Sequence, residues 1–304
     1  LTPGQQVTKR KRILRDFKVY WVLPLIFTSM LGVSLVHYFG GNLNGISIIL
    51  GGMVCLSLFA MRIFLNAYFD HPDSPISALS REDEQWEKLK EVKRNLLLQY
   101  SLLSLTAGAT CTILLIARQA LSTAGLIFLG LVLLGFLLCA SPPLRLDRNG
   151  YGDLVEGVVT VNLVPAFMVS LHQGEVPALL LPLTLPLLLL YIAAKIMFAL
   201  KDYGFDIMHG QKSLVTLTGW KIAVFLHNLL ILGSFVLIGV FLLTRGLPWS
   251  LAWPAWMVLP FGIFQVWQVL CVAEGDKPAW KIMLWLAIGM VLMMIYLIQV
   301  PLWF

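Results

Sequence analysis

Two groups of acidic residues have the spacing of a metal site. Asn66, Asp70 and Asp73 fall in the stretch Asn66-Ala-Tyr-Phe-Asp70-His-Pro-Asp73, and Asp202 and Asp206 open the stretch Asp202-Tyr-Gly-Phe-Asp206-Ile-Met-His-Gly-Gln-Lys212. Helical positions i, i+4 and i+7 share one face, so each group presents its oxygens together. Pro72 interrupts the first pattern just before Asp73. Carboxylates gathered at the rim of an apolar region repel one another and are costly to desolvate unless cations compensate them. Magnesium is the natural cation. It prefers oxygen ligands, takes one or two carboxylates and completes its shell with water and phosphate oxygens. The expected arrangement is a divalent-metal cage for a diphosphate. Either group alone reads equally well as interfacial charge paired with Lys or Arg; two such groups on one side of the chain's apolar spans carry the inference. His71 and His209 flank the groups, and nothing in their spacing assigns them acid or base work.

The elements that must position these acids are membrane helices. The chain is 59% hydrophobic and 12% charged, with mean hydropathy +0.83, too apolar for one soluble core. A hydrocarbon layer takes about 20 helical residues, and nine such stretches fit, at about 17–40, 46–69, 96–117, 121–142, 153–172, 176–200, 219–244, 248–271 and 280–303. A barrel would need alternating polarity, which runs such as Ala178 to Ile192 lack. Lys9, Arg10, Lys11, Arg12, Arg15 and Lys18 precede the first span and place the N-terminus in the cytoplasm. The loops after the even-numbered spans are Lys/Arg-rich, whereas the opposite loops carry only Arg118 and Arg245. The expected fold is therefore an all-α polytopic bundle of nine transmembrane helices, N-terminus cytoplasmic and C-terminus external. Residues 1–16 form a basic cytoplasmic segment, and 17–304 a single domain. Both acid groups then face the cytoplasm.

The net charge of +6 is accounted for by these flanks, so attraction to anionic lipid replaces any nucleic-acid partner. Cys55, Cys111, Cys139 and Cys271 lie within spans without C-x-x-C spacing and are expected to be packing residues. The chain opens at Leu1, so its natural start is expected upstream. Ser80 with Asp83 resembles a capping box, and Trp86, Leu89 and Val92 give Ser80 to Arg94 one apolar side, which predicts a cytoplasmic helix leading into the third span.

The sequence resembles the UbiA superfamily of intramembrane prenyltransferases, whose members have nine helices and aspartate motifs ending helices two and six. The first family motif, N-D-x-x-D-x-x-x-D, is matched by Asn66 and Asp70, with Asp73 one place early and Ala67 where an aspartate is common. The second is matched by Asp202, Asp206, Gly210, Lys212, Leu214 and Gly219. The third, Y-x-x-x-K, survives only as Ser141-Pro-Pro-Leu-Arg145, and the arginine-rich stretch after the first motif is replaced by Ser74-Pro-Ile-Ser-Ala-Leu-Ser80. Ser141 to Arg145 and Gly150-Tyr-Gly-Asp153 are weakly similar to the 1,4-dihydroxy-2-naphthoate prenyltransferases of menaquinone synthesis.

The resemblance implies Mg2+-dependent transfer of a polyprenyl group from its diphosphate to a lipophilic or aromatic acceptor, such as a quinone precursor, within the bilayer of a bacterial or archaeal cell. Asp70, Asp202 and Asp206 would be catalytic, and Asn66, Asp70, Asp73, Asp202 and Asp206 the metal ligands. Arg62, Arg145, Lys195, Lys201 and Lys212 are the candidate diphosphate contacts. Lys195, an ionisable residue inside a span, is a functional candidate by default; its alternative is a salt bridge with Asp202 or Asp206. Two other functions remain open: a terpene cyclase of the same superfamily, in which the prenyl cation attacks its own tail, and a cation-coupled transporter.

Overall fold

In the computed structural model residues 19–70, 81–208 and 210–304 are described, with 19 and 81–91 described as backbone only. Asp73, His71, His209, Ser80 and the basic segment 1–16 lie outside the described residues, as do the side chains of Trp86 and Leu89.

The helices follow the apolar runs. A 3₁₀ turn, Val19–Trp21, leads into α1 (Val22–Tyr38). Then come α2 (Gly45–Phe69), α3 (Arg81–Ala117), α4 (Thr123–Ala140), α5 (Gly152–Gln173), α6 (Leu180–Met208), α7 (Trp220–Leu243), α8 (Trp249–Glu274) and α9 (Trp280–Trp303). Among the described residues eight of these, α2 to α9, are long and apolar enough to cross a membrane, and α1 is a shorter apolar helix of 17 residues. The helix expected before the third span is continuous with it, as α3 runs unbroken for 37 residues.

Local chemistry sets the boundaries. Asn44 caps α2, its side chain accepting from the amides of Ile46 and Ser47, and Ser122 caps α4 by accepting from Gly125. α5 contains a π turn over Val159–Leu163, just before Pro165, which has no amide to continue the α ladder.

α5 and α6 form the centre, each with 72% of its most apolar stretch buried, whereas α3 has only 17% and lies at the periphery. Gly32 of α1 lies so close to α5 that an added Cβ would stand 2.6 Å from the Pro165 carbonyl. Polar side chains tie the helices together. His227 of α7 bonds the Ala193 carbonyl of α6 at 2.9 Å, Gln299 of α9 donates to Phe27 of α1 at 2.6 Å, and Ser234 of α7 donates to Pro186 of α6 at 2.8 Å. Outward residues such as Leu103, Phe225 and Trp285 are large, apolar and exposed, as expected where lipid replaces water as the solvent. This is an integral membrane bundle, and its two central helices, with Arg62 of α2, carry ionisable groups inward.

Candidate active site

One end of the bundle, where α2, α4 and α6 finish and α3, α5 and α7 begin, holds a cavity of about 850 Å³. The described members of both acid groups line it. Asn66 and Asp70 come from the last turn of α2, where the Asp70 amide still donates to the Asn66 carbonyl at 3.0 Å. Asp202 and Asp206 come from the last turns of α6.

The loop between α4 and α5 forms the third wall. It bends sharply: Arg145 takes a left-handed φ of +38°, and Gly150 takes +87°. At Gly150 an added Cβ would stand 2.7 Å from Leu217, and at Gly152 it would overlap Asp147. Both glycines of the Gly150-Tyr-Gly-Asp153 stretch are therefore required by close approach. A single bridge, Asn149 to Lys212, joins this loop to the segment that follows α6, where Ser213 and Thr216 form a capping box for the short helix Leu214–Thr218. Lys212, of the second acid group's own stretch, is thereby held at the cavity wall.

Of the five cations expected at a diphosphate, Lys212, Arg62 and Lys195 line the cavity, and Arg148, which was not expected, joins them. Arg145 reaches Asp70, with Nη2 2.7 Å from Oδ1, and stands over the Phe69 ring at 5.5 Å. Lys201 is exposed and is not part of the lining, because one residue before Asp202 is about 100° round the helix.

Arg62 and Lys195 are engaged elsewhere. Arg62 Nη2 is 2.7 Å from Asp147 Oδ1 and its Nη1 is 2.8 Å from Glu156 Oε2. Lys195 Nζ is 2.6 Å from Glu156 and 3.3 Å from Asp153, and it lies 4.0 Å from the centre of the Trp21 ring. Its partners are thus acids of α5, where Asp202 or Asp206 was the sequence-based alternative. Tyr191 completes the network by donating its hydroxyl to Glu156 at 2.7 Å. Burial pushes the Asp147 carboxyl above its ordinary value, and the Arg62 guanidinium works in the opposite direction. Glu156 escaped the sequence reading; an acid inside an apolar span, the criterion that singled out Lys195, also applies to it.

The charges do not balance. Among the described residues six carboxylates line the cavity (Asp70, Asp147, Asp153, Glu156, Asp202 and Asp206) against four cations (Arg62, Arg148, Lys195 and Lys212), with Arg145, outside the lining, paired to Asp70. No three His, Cys, Asp or Glu side chains among the described residues converge on one metal position. This donor set suits a hard cation held by one or two carboxylates, with phosphate oxygens and water completing its shell. The deep wall is apolar and aromatic, with Trp21, Phe59, Ile63 and Phe198.

The architecture has solved counterparts. A digeranylgeranylglyceryl phosphate synthase superposes with TM-score 0.63 at 16% identity, over 95% of this chain and 99% of that one. A UbiA homolog from Aeropyrum pernix K1 gives 0.55 at 18% identity, over 92% and 95%. A UbiA homolog from Archaeoglobus fulgidus bound to GPP and Mg2+ gives 0.56 at 15% identity, over 94% and 99%. The chain has the UbiA fold. No protein-family model matches the sequence, and no curated protein matches it either. At these identities the UbiA likeness is one of fold.

Proposed function

We propose that this protein is a UbiA-type prenyltransferase that moves a prenyl group from its diphosphate to a lipophilic acceptor inside the membrane. The observation that carries the reading is the meeting of Asn66 and Asp70 with Asp202 and Asp206 around one cavity whose described lining holds more carboxylates than cations and an aromatic wall. A trianionic diphosphate enters such a cavity only with added cations, so magnesium is the expected cofactor. Asn66, Asp70, Asp202 and Asp206 would hold it, with Asp73 an expected further ligand. When bound, it neutralises the diphosphate and stabilises the charge that develops on the leaving oxygen.

The chain's own residues do the rest. Lys212 and Arg148 reach the phosphate oxygens from the cavity wall, and Arg145 does so when it leaves Asp70. Arg62 and Lys195 belong instead to the buried network beneath. Phe59, Ile63 and Phe198 exclude water from the allylic carbon, so that the cation formed on C–O cleavage meets the acceptor rather than solvent. The basic loops at this end orient the cavity toward the cytoplasm. An aromatic, quinone-precursor acceptor is the reading favoured by the Gly150-to-Asp153 stretch.

The test is pyrophosphate release by purified protein in nanodiscs, with and without magnesium, across prenyl diphosphates and acceptors. Release that requires both magnesium and an acceptor supports the transferase. Acceptor-independent release with a cyclic hydrocarbon product replaces it with a cyclase, and ion flux without any diphosphate turnover replaces it with a transporter.

A further inference from the structure

Beneath the metal-binding acids lies a second set of charges that the diphosphate chemistry does not use. Its members differ in one respect. Glu156 is 3% exposed and accepts from Arg62, Lys195 and Tyr191, so its oxygens are occupied. Asp147 faces Arg62, with 12% of its side chain exposed. Asp153 has 26% of its side chain exposed, lines the cavity, and is reached among the described residues only by Lys195, at 3.3 Å. It is the most exposed carboxylate of the network, with Asp147 and Glu156 more deeply buried.

Its position suits a partner of the prenyl group rather than the diphosphate. Lys195 lies seven residues before Asp202 on α6, about 10 Å deeper along the helix axis at 1.5 Å per residue. A diphosphate held at Asp202 and Asp70 places the reacting carbon below it, between the two levels. The ammonium that holds Asp153 is itself fixed, by Glu156 on one side and the Trp21 face on the other. Asp153 is thus a carboxylate of set orientation in a cavity that also holds the Trp21, Phe59 and Phe198 rings.

We propose that Asp153, held by Lys195 at the level beneath the diphosphate, is the general base that takes the proton of a hydroxyl-bearing acceptor during prenyl transfer. The inference rests on the transferase reading. The acceptor O–H bond breaks and its proton passes to the Asp153 carboxylate. The released electron pair forms the new bond to the prenyl C1, from oxygen or through a conjugated ring from carbon. The C1–O bond breaks, and its electrons leave with the diphosphate. Lys195 acts as the positioning residue, and the acceptor class is a lipophilic alcohol or phenol.

The experiment compares wild type and Asp153→Asn in nanodiscs with GPP, magnesium and two acceptor probes, 1,4-dihydroxy-2-naphthoate and a geranylgeranylglyceryl phosphate. Three quantities are read: acceptor-dependent product, slow acceptor-independent hydrolysis, and magnesium-dependent thermal stabilisation by GPP. The expected result is a fall in acceptor-dependent kcat of roughly 10²- to 10⁴-fold, with hydrolysis and stabilisation unchanged. In Asp153→Ala, added formate is expected to restore part of the transfer rate, which a structural role would not allow. Unchanged transfer in D153N overturns the proposal, as does a parallel loss of hydrolysis and GPP binding. Wild type that hydrolyses GPP yet transfers to neither probe also overturns it, leaving the diphosphate site standing. Wild type with no magnesium-dependent release at all defeats the transferase reading itself.

Discussion

The guanidinium of Arg145 grips Asp70 at 2.7 Å, so the loop after α4 closes on the acid that ends α2. Asp70 cannot serve a metal and hold Arg145 fully at once. Replacing Arg145 by Met is expected to lower the magnesium concentration needed for half-maximal activity and to weaken prenyl diphosphate binding. With 54% of the Asp70 side chain exposed, solvent screens the pair, and the magnesium effect should stay within about 1 kcal/mol, roughly fivefold. Magnesium titrations at several GPP concentrations check both directions. An unchanged magnesium requirement removes Arg145 from the competition.

Asp70→Ala and Asp206→Ala are each expected to abolish turnover, by roughly 10²-fold or more if the electrostatic stabilisation of the leaving group is lost. The folded state should persist, since neither side chain belongs to the buried network around Glu156. Pyrophosphate release and thermal unfolding are measured on the same preparations. Full activity in both variants rules out the metal cage.

Chelation by EDTA is expected to stop release completely, and added magnesium to restore it, because the cavity's excess carboxylates otherwise repel the diphosphate. Activity that survives exhaustive chelation contradicts the charge argument.

Glu156→Gln should destabilise the bundle. It leaves Arg62 and Lys195 short of a buried partner, and breaking such a pair costs about 3–5 kcal/mol. Glu156→Gln combined with Lys195→Met removes one of the stranded charges, and the double variant should recover part of the loss. Thermal unfolding in one detergent reads the whole cycle; additive losses count against a coupled network.

Gly152→Ala tests the packing of the loop, since the new methyl overlaps Asp147. Overpacking of this kind typically costs about 1–3 kcal/mol, and it displaces Asp147 from Arg62. A lowered melting temperature is expected, whereas Gly204→Ala, where an added Cβ meets nothing within 4 Å, should be nearly silent.

The helices were legible because a run of about 20 apolar residues suffices to mark one, and α2 to α9 follow the expected stretches closely. The pairs Asn66–Asp70 and Asp202–Asp206 could be placed at one helix end each because each spans a single helical turn, whereas Asp73 lies outside the described residues. The basic residues were harder to assign, since a cation's partner is set by tertiary structure. Arg62 meets Asp147 across 85 residues, and Lys195 meets Glu156 across 39. From sequence both cations read as phosphate contacts, and Glu156 drew no notice because its three partners come from two other helices. Lys201 shows the opposite limit: it stands at the same end of the bundle as the acids, and the helical rotation of one residue from Asp202 turns it out of the cavity.

The rung between Asn149 and Lys212 has a consequence for how such proteins diverge. It fixes the lengths of two connections to each other, so an insertion tolerated by one would shift the other out of register. The two segments are therefore expected to be inherited as a unit. A chimera that borrows residues 141–151 from another protein of this fold should remain assembled only if it borrows residues 210–213 as well.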